Sequence, residues 1–208
     1  MKLHEVVQPT LLEQEQLDEL SVKHAIAAGA TALALAVGSS SHKTEPVDTK
    51  PLTTHTINKA VHKDDVHELT KAVLDKYDIS PVQAKKIVQL AKKHEKADFP
   101  KAKDILAIVG IESSFNPNAQ SGLKKDPAVG LMQVRPGVWD LKKAEIKGPG
   151  NIDKQISIGS EILAKYYKRL NDRDKAVHAY NVGMGNFLKG KHNPSYVAKY
   201  KDELTMYN

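Results

Sequence analysis

The sequence contains no cysteine. This absence excludes disulfide bonds, zinc–thiolate centres and cysteine nucleophiles. An oxidising compartment stays open, because a chain of 208 residues can build a core without disulfides. The sequence also has no Walker-type phosphate loop, no dinucleotide-binding fingerprint and no helix-turn-helix signature. His55, His62 and His67 do not form a metal-ligand pattern with neighbouring carboxylates. We therefore expect no cofactor, no metal and no nucleic-acid partner.

Beyond residue 50, acidic residues are fewer than basic residues. The formal net charge is +6, yet the first 50 residues hold four basic and seven acidic side chains, so the positive excess belongs to the rest of the chain. A basic body suits a polyanion such as nucleic acid, an anionic lipid surface or the bacterial cell wall, and charge alone does not choose among these. With 40% apolar and 27% charged residues, the composition excludes a collagen-like or wholly disordered chain.

The uncharged run Ala25–Gly38 has fourteen residues, whereas a helix needs about twenty apolar residues to span a bilayer. The stretch before it is long and acidic, which is atypical of a secretory signal. Three interpretations stay open: a helix that docks on protein, a membrane-active helix with contact at 25–38, and a cleaved signal. We favour the first and predict a helical docking or membrane-active segment over residues 1–37.

A change in composition divides the chain. Residues 38–61 are rich in Ser, Thr and Pro and have no apolar periodicity, which predicts a flexible linker. Helical periodicity then begins, with Asp64 or Asp65 as the expected cap of the first helix. Ser80 before Pro81 predicts the start of a second helix. Further helices are predicted over residues 101–113, 153–170, 174–180 and 195–204. The expected fold class is mainly α, with one domain over residues 62–208.

Glu112 is the first candidate for chemistry. On a helix it lies within about a 100° arc of Ile105, Ile108 and Val109, inside the apolar stripe. Burial and the negative end of the helix dipole both disfavour its charged form and raise its pKa, as a general acid requires. The alternative is a glutamate that bends into solvent at a helix end. Glu161, on the face of its helix opposite the apolar residues, is expected to be a solvated surface charge.

Three short sequence blocks occur one after another along the chain. They are Ile111–Pro117 (IESSFNP), Gly130–Val134 (GLMQV) and Ala179–Gly183 (AYNVG). Together they resemble the motifs E-S-x-F-N-P, G-L-M-Q and A-Y-N-x-G of lytic transglycosylases with the soluble-transglycosylase (SLT) domain. The resemblance covers residues 79–200 and implies a goose-type-lysozyme-like helical fold, without metal or cofactor.

The resemblance also implies an activity, which is cleavage of the β-1,4 bond between N-acetylmuramic acid and N-acetylglucosamine in peptidoglycan. Glu112 matches the family's single catalytic acid/base. Ser121, Gln133, Tyr180 and Asn181 match positions near the saccharide, Tyr180 being the tyrosine expected to orient the catalytic carboxyl group. Taken alone, Ser121 is typical of a serine whose hydroxyl hydrogen-bonds the backbone of a turn. Asn181 is expected to be mainly structural. The product would be a 1,6-anhydromuramyl end, because the muramyl 6-hydroxyl replaces water as the nucleophile.

The sequence departs from the family between Ser121 and Gly130, where the loop is about three residues longer and carries Asp126. If the Asp126 carboxylate reached the far face of the sugar it would activate water, and the enzyme would be a lysozyme-type hydrolase. Arg135 stands where the family has methionine. It could pair with the lactyl carboxylate of muramic acid, pair with the peptide stem, or remain solvated.

We expect the bacterial envelope to be the site of action and peptidoglycan strands to be the partner. An N-terminal helix would suit a phage virion protein that opens the wall while the genome enters, or an envelope enzyme with a protein partner. The alternative from another class is a structural docking protein that binds glycan without cleaving it.

Overall fold

The computed structural model describes the backbone of residues 54–208 and the side chains from Asp65 onward. The expectations for residues 1–37 and for the run Ala25–Gly38 lie outside the described residues. Within the described part, no helix is both long and apolar enough to cross a bilayer.

The described chain is mainly α, as the sequence predicted, with eight α-helices and one short 3₁₀ helix. They are α1 Thr54–Lys76, α2 Pro81–His94, α3 Ala102–Ser113, α4 Lys143–Ile146, the 3₁₀ helix Pro149–Asn151, α5 Ile152–Leu170, α6 Arg173–Val182, α7 Met184–Leu188 and α8 Pro194–Thr205. Between residues 54 and 208 the only β-pairings are two isolated bridges, Gln120 with Val129 and Val129 with Val134.

Helix α1 begins earlier than predicted. It starts at Thr54, not at Asp64 or Asp65, so it overlaps the last part of the predicted linker 38–61. Hydrophobic periodicity detects a helix only where one face is buried, and the sequence has no apolar stripe before Val66. From there the expected face is present, because Leu69 and Val73 are buried in the core.

Helix α2 follows the predicted capping chemistry. The Ser80 hydroxyl accepts a hydrogen bond from the backbone N–H of Gln83, at 3.2 Å, and Pro81 occupies the first helical position. Proline is favoured there because its missing N–H would have no partner within the helix. The predicted buried face is confirmed and consists of Ala84, Ile87, Val88 and Ala91.

Helix α3 lies at the centre of the fold and packs against α2 on one side and α8 on the other. Ile105, Ile108 and Val109 of its predicted apolar stripe are buried, and so is every other residue of Ile105–Gly110. In this central segment the buried surface therefore extends beyond the predicted stripe. Gly110 leaves room for the side chain of Tyr77, the residue after α1, since a Cβ there would lie 2.4 Å from the Tyr77 hydroxyl. In the last turn of α3 burial decreases, and Glu112 is half-buried.

Helix α8 is fixed to the rest of the fold by buried polar bonds. The Tyr200 hydroxyl donates to the Asp104 carboxylate of α3 at 2.5 Å, and the hydroxyl of Tyr77, the residue after α1, donates to the Glu203 carboxylate at 2.8 Å. Buried polar groups are costly unless they are paired, so such bonds fix how one helix sits on another. This anchoring determines where the next aromatic residue of α8 toward its N-terminus, Tyr196, is placed.

Candidate active site

The end of α3 presents Glu112 to a cavity. Ser114 and Phe115 have positive φ values of 49° and 63°, so the helix stops abruptly after Ser113. The buried Phe115 ring packs on Tyr77 with centroids 4.6 Å apart, and its carbonyl accepts a hydrogen bond from the Gln83 side chain at 3.0 Å. This anchored turn carries the chain away from the helix axis and leaves the last turn of α3 facing a cavity.

Two features of its surroundings act on the carboxyl group of Glu112: a hydrogen bond and burial. Its Oε1 atom accepts a hydrogen bond from the Tyr196 hydroxyl at 2.5 Å. Burial raises the pKa of Glu112 to about 7, outweighing the Tyr196 bond, which lowers it. The direction expected from the sequence is confirmed, and its cause is burial. A carboxyl group with this pKa is partly protonated near neutral pH and can either give or take a proton.

The cavity in front of Glu112 has a volume of about 300 Å³. It is lined by residues of all three blocks that the sequence singled out, by the loop before Gly130, by residues just after Val134 and by α5. The lining side chains are Glu112, Ser121, Leu123, Ala128, Gln133, Val134, Arg135, Val138, Trp139, Ile162, Tyr166, Tyr180, Asn181, Val182 and Gly183. Among these described residues Glu112 is the only acid. The structure therefore brings all five predicted site residues to one cavity.

The second sequence block forms a tight turn. Val129 and Val134 exchange two backbone hydrogen bonds, and Gln133 adopts a φ of 47°. The Gln133 side chain donates to the carbonyl of Gly130 at 3.0 Å. Gly130 has a φ of 77°, and a Cβ there would lie 2.5 Å from the Gln155 side chain, so this position requires glycine.

Gln155 of α5 supports this turn from behind and had no signal in the sequence. The side chain is buried, and its carbonyl oxygen accepts a hydrogen bond from the backbone N–H of Leu131 at 2.8 Å. Its amide donates to the carbonyls of Pro117 and Gly148, at 3.2 and 3.0 Å. One side chain thus ties the first block to the second and fixes their separation.

Tyr180 was expected to orient the Glu112 carboxyl group, but its hydroxyl has a different partner. Its hydroxyl donates to the backbone carbonyl of Met132 at 2.7 Å, not to Glu112. The tyrosine bonded to the carboxyl group is Tyr196 of α8, which the sequence did not single out. Tyr196 lies 84 residues after Glu112 and outside the three blocks, so spacing gave no signal. Burial and the Glu112 charge raise the pKa values of both hydroxyls, which therefore stay protonated donors.

Ser121 and Asn181 make structural bonds at the cavity edge. The Ser121 hydroxyl accepts a hydrogen bond from the backbone N–H of Ala128 at 2.9 Å, and the Ser121 N–H donates to the Ala128 carbonyl. This is the turn chemistry expected of Ser121 alone. The Asn181 side-chain oxygen accepts from the Asn193 amide at 2.8 Å. Both residues line the cavity while closing a loop.

Asp126 does not line the cavity that holds Glu112. Its Oδ1 accepts a hydrogen bond from the backbone N–H of Gly137 at 2.8 Å, and its Oδ2 lies 3.3 Å from Nε of Arg135. Both carboxylate oxygens are therefore engaged. Arg135 lines the cavity with its side chain half-exposed.

Glu161 is a surface charge, as expected: its side chain is half-exposed and is paired with Lys96. Among the residues with described side chains, no three His, Asp or Glu residues come together as a metal site would require.

Comparison with known proteins places these features in a family. The model of the transglycosylase SLT domain matches residues 89–202, which is more than half of the chain and includes Glu112, the Gly130 turn, Tyr180 and Tyr196. No curated protein and no solved structure matches the chain significantly.

Proposed function

The chain belongs to the transglycosylase SLT family, whose members are lytic transglycosylases acting on peptidoglycan, and from this premise we propose that Glu112 is its single catalytic acid/base. The substrate bond is the β-1,4 bond between N-acetylmuramic acid and N-acetylglucosamine. The observation that carries the proposal is the cavity, in which Glu112 is the only acid among the described lining residues.

In the first step Glu112 gives its proton to the glycosidic oxygen. The bond from muramyl C1 to that oxygen breaks, and the departing N-acetylglucosamine leaves with a free hydroxyl group. The raised pKa of about 7 supports this role, because a substantial fraction of Glu112 is protonated at neutral pH. The positive charge that develops on the muramyl ring is stabilised by the substrate's own acetamido group.

In the second step the Glu112 carboxylate takes the proton from the muramyl 6-hydroxyl. The 6-oxygen bonds to C1 and closes the 1,6-anhydro ring, so Glu112 regains the proton that it lost. The nucleophile belongs to the same sugar, and this proximity makes it competitive with water. Tyr196 is a positioning residue here, because its hydroxyl fixes one carboxyl oxygen and leaves the other for the substrate.

Hydrolysis requires a second carboxylate that activates water across the scissile bond. Asp126 was the candidate, but both of its oxygens are engaged by Gly137 and Arg135, and it lies outside the Glu112 cavity. These contacts favour the transglycosylase outcome over the lysozyme-type hydrolase.

The glycan contacts are proposed for the remaining lining residues. The Gln133 side chain lies on the tight turn at the cavity wall, where an amide can hydrogen-bond sugar hydroxyl or acetamido groups. Ser121 and Asn181 offer polar atoms at the edge. Tyr180 contributes its ring to the wall and holds the Met132 carbonyl, which fixes the turn beside Glu112.

The chain's wider organisation is also a proposal. We assign residues 62–208 to the catalytic domain, with helix α1 extending it back to Thr54. Residues 1–37 are proposed to dock on a virion or envelope partner, on the strength of their acidic stretch and the uncharged run that follows. Carriage in a phage virion is the setting that we favour for this arrangement.

The experiment compares Glu112→Gln with Asp126→Asn in the release of soluble fragments from purified peptidoglycan. Glu112→Gln keeps the shape and the Tyr196 bond but cannot transfer a proton, so its rate should fall by at least about a hundredfold. Asp126→Asn should stay within about tenfold of wild type, because the side chain orders a loop and takes no part in the chemistry. Glu112→Gln with wild-type activity would contradict the assignment. A non-catalytic docking protein would release no fragments even as wild type.

A further inference from the structure

A second cavity adjoins the first on the side of the extended loop. Its volume is about 570 Å³, and it is lined by Leu123, Lys124, Lys125, Asp126, Arg135, Gly137 and Val138. Three of these residues, Leu123, Arg135 and Val138, also line the cavity that holds Glu112. The two cavities are therefore neighbours that share part of their wall, with Glu112 in the inner cavity and the loop at the outer cavity.

The loop at the outer end is held in place. Two hydrogen bonds between Ser121 and Ala128 close its base. Near its tip, Asp126 accepts a hydrogen bond from the Gly137 N–H at 2.8 Å and pairs with Arg135 at 3.3 Å. Gly137 lies close, since a Cβ there would be 2.9 Å from the Asp126 carboxyl carbon. The two lysines that precede Asp126 are thus presented at a fixed part of the rim.

The outer cavity is positively charged. Asp126 is the only acid among the described residues that line it, and Arg135 already neutralises that carboxylate. Lys124 and Lys125 are exposed, and neither forms an ion pair with another described residue. The surplus of two positive charges lies at the cavity next to the one that holds Glu112. Such a rim attracts an anionic group carried by the substrate itself.

We propose that Lys124 and Lys125 form a subsite for the free carboxylates of the peptide stem, which makes the enzyme prefer peptide-bearing glycan to glycan stripped of its peptides. This inference rests on the proposed function, because it assumes that muramyl residues occupy the inner cavity. The muramyl lactyl group is the point where the peptide joins the sugar. We place the stem in the outer cavity because that cavity shares Leu123, Arg135 and Val138 with the inner one.

Two muramyl substituents could supply a carboxylate. The lactyl group has a free carboxylate only when the peptide has been removed, and it is attached directly to the sugar ring. The stem carries its carboxylates farther from the ring. Lys124 and Lys125 line the outer cavity and not the inner one, which matches the stem and not the lactyl group.

The test uses the full chain and three substrates purified free of phosphate polymers: peptide-bearing peptidoglycan, the same material with its carboxyl groups capped as methylamides, and glycan stripped by an amidase. Initial rates are compared for wild type, for K124Q/K125Q and for K142Q/K143Q. The last variant removes an equally adjacent and exposed lysine pair that lines neither cavity.

On peptide-bearing substrate, K124Q/K125Q should be slower than wild type by about threefold to tenfold through a higher KM, since two exposed charge pairs are lost. On capped and on stripped substrate the ratio of the two rates should return to about one. High salt should also reduce the difference on peptide-bearing substrate, because exposed charges are screened. K142Q/K143Q should match wild type throughout.

Equal rates of K124Q/K125Q and wild type on peptide-bearing substrate would overturn the subsite. A defect that persists on stripped glycan would assign the lysines to the lactyl carboxylate and overturn the stem assignment. A defect that persists on capped substrate would show that carboxylates are not the ligand. Absence of products from every substrate with wild type would instead refute the proposed function, and this inference with it.

Discussion

At the residue scale, Tyr196 and burial act on Glu112 in opposite directions. Burial raises the pKa of Glu112 to about 7, while the hydrogen bond from Tyr196 stabilises the carboxylate and lowers it. As pH rises through 7 the carboxyl group loses the proton that the first step requires. The rate kcat/KM should therefore decline on the alkaline side of its pH profile with an apparent pKa near 7.

Tyr196→Phe should move that alkaline limb to higher pH. The variant removes the donor that stabilises the carboxylate, so the pKa of Glu112 should rise by about one unit, the size expected for one hydrogen bond to a charged group. The measurement is kcat/KM against pH for wild type and for Tyr196→Phe. The maximal rate should also fall, because the carboxyl group is less well positioned.

Tyr180→Phe is the matched control. It removes a buried hydroxyl from the same cavity, but that hydroxyl donates to the Met132 carbonyl. Its alkaline limb should stay where it is in wild type. Equal shifts for both variants, or no shift for Tyr196→Phe, would contradict the positioning role of Tyr196.

Sequence predicted Glu112 and not Tyr196, and the reason is physical. Glu112 could be predicted because it places a polar side chain at an apolar position of the helix and because a recognisable motif surrounds it. Tyr196 acts through a tertiary contact between α3 and α8 across 84 positions, and nothing local records such a contact. Tyr180 was predicted at the right place with the wrong partner, because a motif gives a position and not the direction of a hydroxyl group.

At the scale of elements, α5 carries the wall behind the active site. Gln155 bonds three backbone groups of the surrounding segments, and one turn later Gly159 lies against Met132. A Cβ at Gly159 would lie 2.3 Å from Met132 Sδ and 2.8 Å from Met132 Cβ. Met132 is fully buried and follows the Gly130 turn directly, so the helix has to come close for the turn to keep its place.

Gly159→Ala should destabilise the protein and slow it. Alanine normally stabilises a helix interior by about 1 kcal/mol relative to glycine, but overpacking a core costs about 1–3 kcal/mol. The Cβ–Cβ clash cannot be relieved by a side-chain rotation of Met132. We therefore expect a net loss of about 1–2 kcal/mol in the free energy of unfolding, together with a lower kcat as the turn moves.

Gly150→Ala provides the comparison, measured by the same denaturant unfolding curves. Nothing lies within 4 Å of a Cβ built at Gly150, so this variant should keep wild-type stability within error. A Gly159→Ala protein as stable and as fast as wild type would show that the close approach of α5 to Met132 is dispensable.

The helices that could be predicted are those with strong local signals. α2 has its serine cap and proline, and α5, α6 and α8 begin and end within two residues of their predicted limits. The four-residue α4 and the five-residue α7 were missed because they are too short for a period of 3.6 residues to show. The stripe assigned to α3 is buried as predicted, but it is only part of the buried surface, because every residue of Ile105–Gly110 is buried.

At the scale of the whole molecule, the catalytic cavity and the excess of positive charge belong to the same part of the chain. The side chains lining the inner cavity all lie between Glu112 and Gly183, and Tyr196 completes the site, so every proposed catalytic group falls within the family match at residues 89–202. The positive excess beyond residue 50 is compatible with a polyanionic wall. The sequence did not show that Asp126 is turned toward Arg135 and away from the Glu112 cavity.

The central claim is that one carboxyl group cleaves the glycan while the substrate supplies its own nucleophile. The most direct measurement is mass spectrometry of the fragments that the full chain releases from purified peptidoglycan in water enriched in a heavy oxygen isotope. The proposed mechanism predicts 1,6-anhydromuramyl ends. These ends are lighter than hydrolytic ends by one water molecule and are free of the heavy isotope. Reducing muramyl ends that carry the heavy isotope would contradict it, because water would then be the nucleophile.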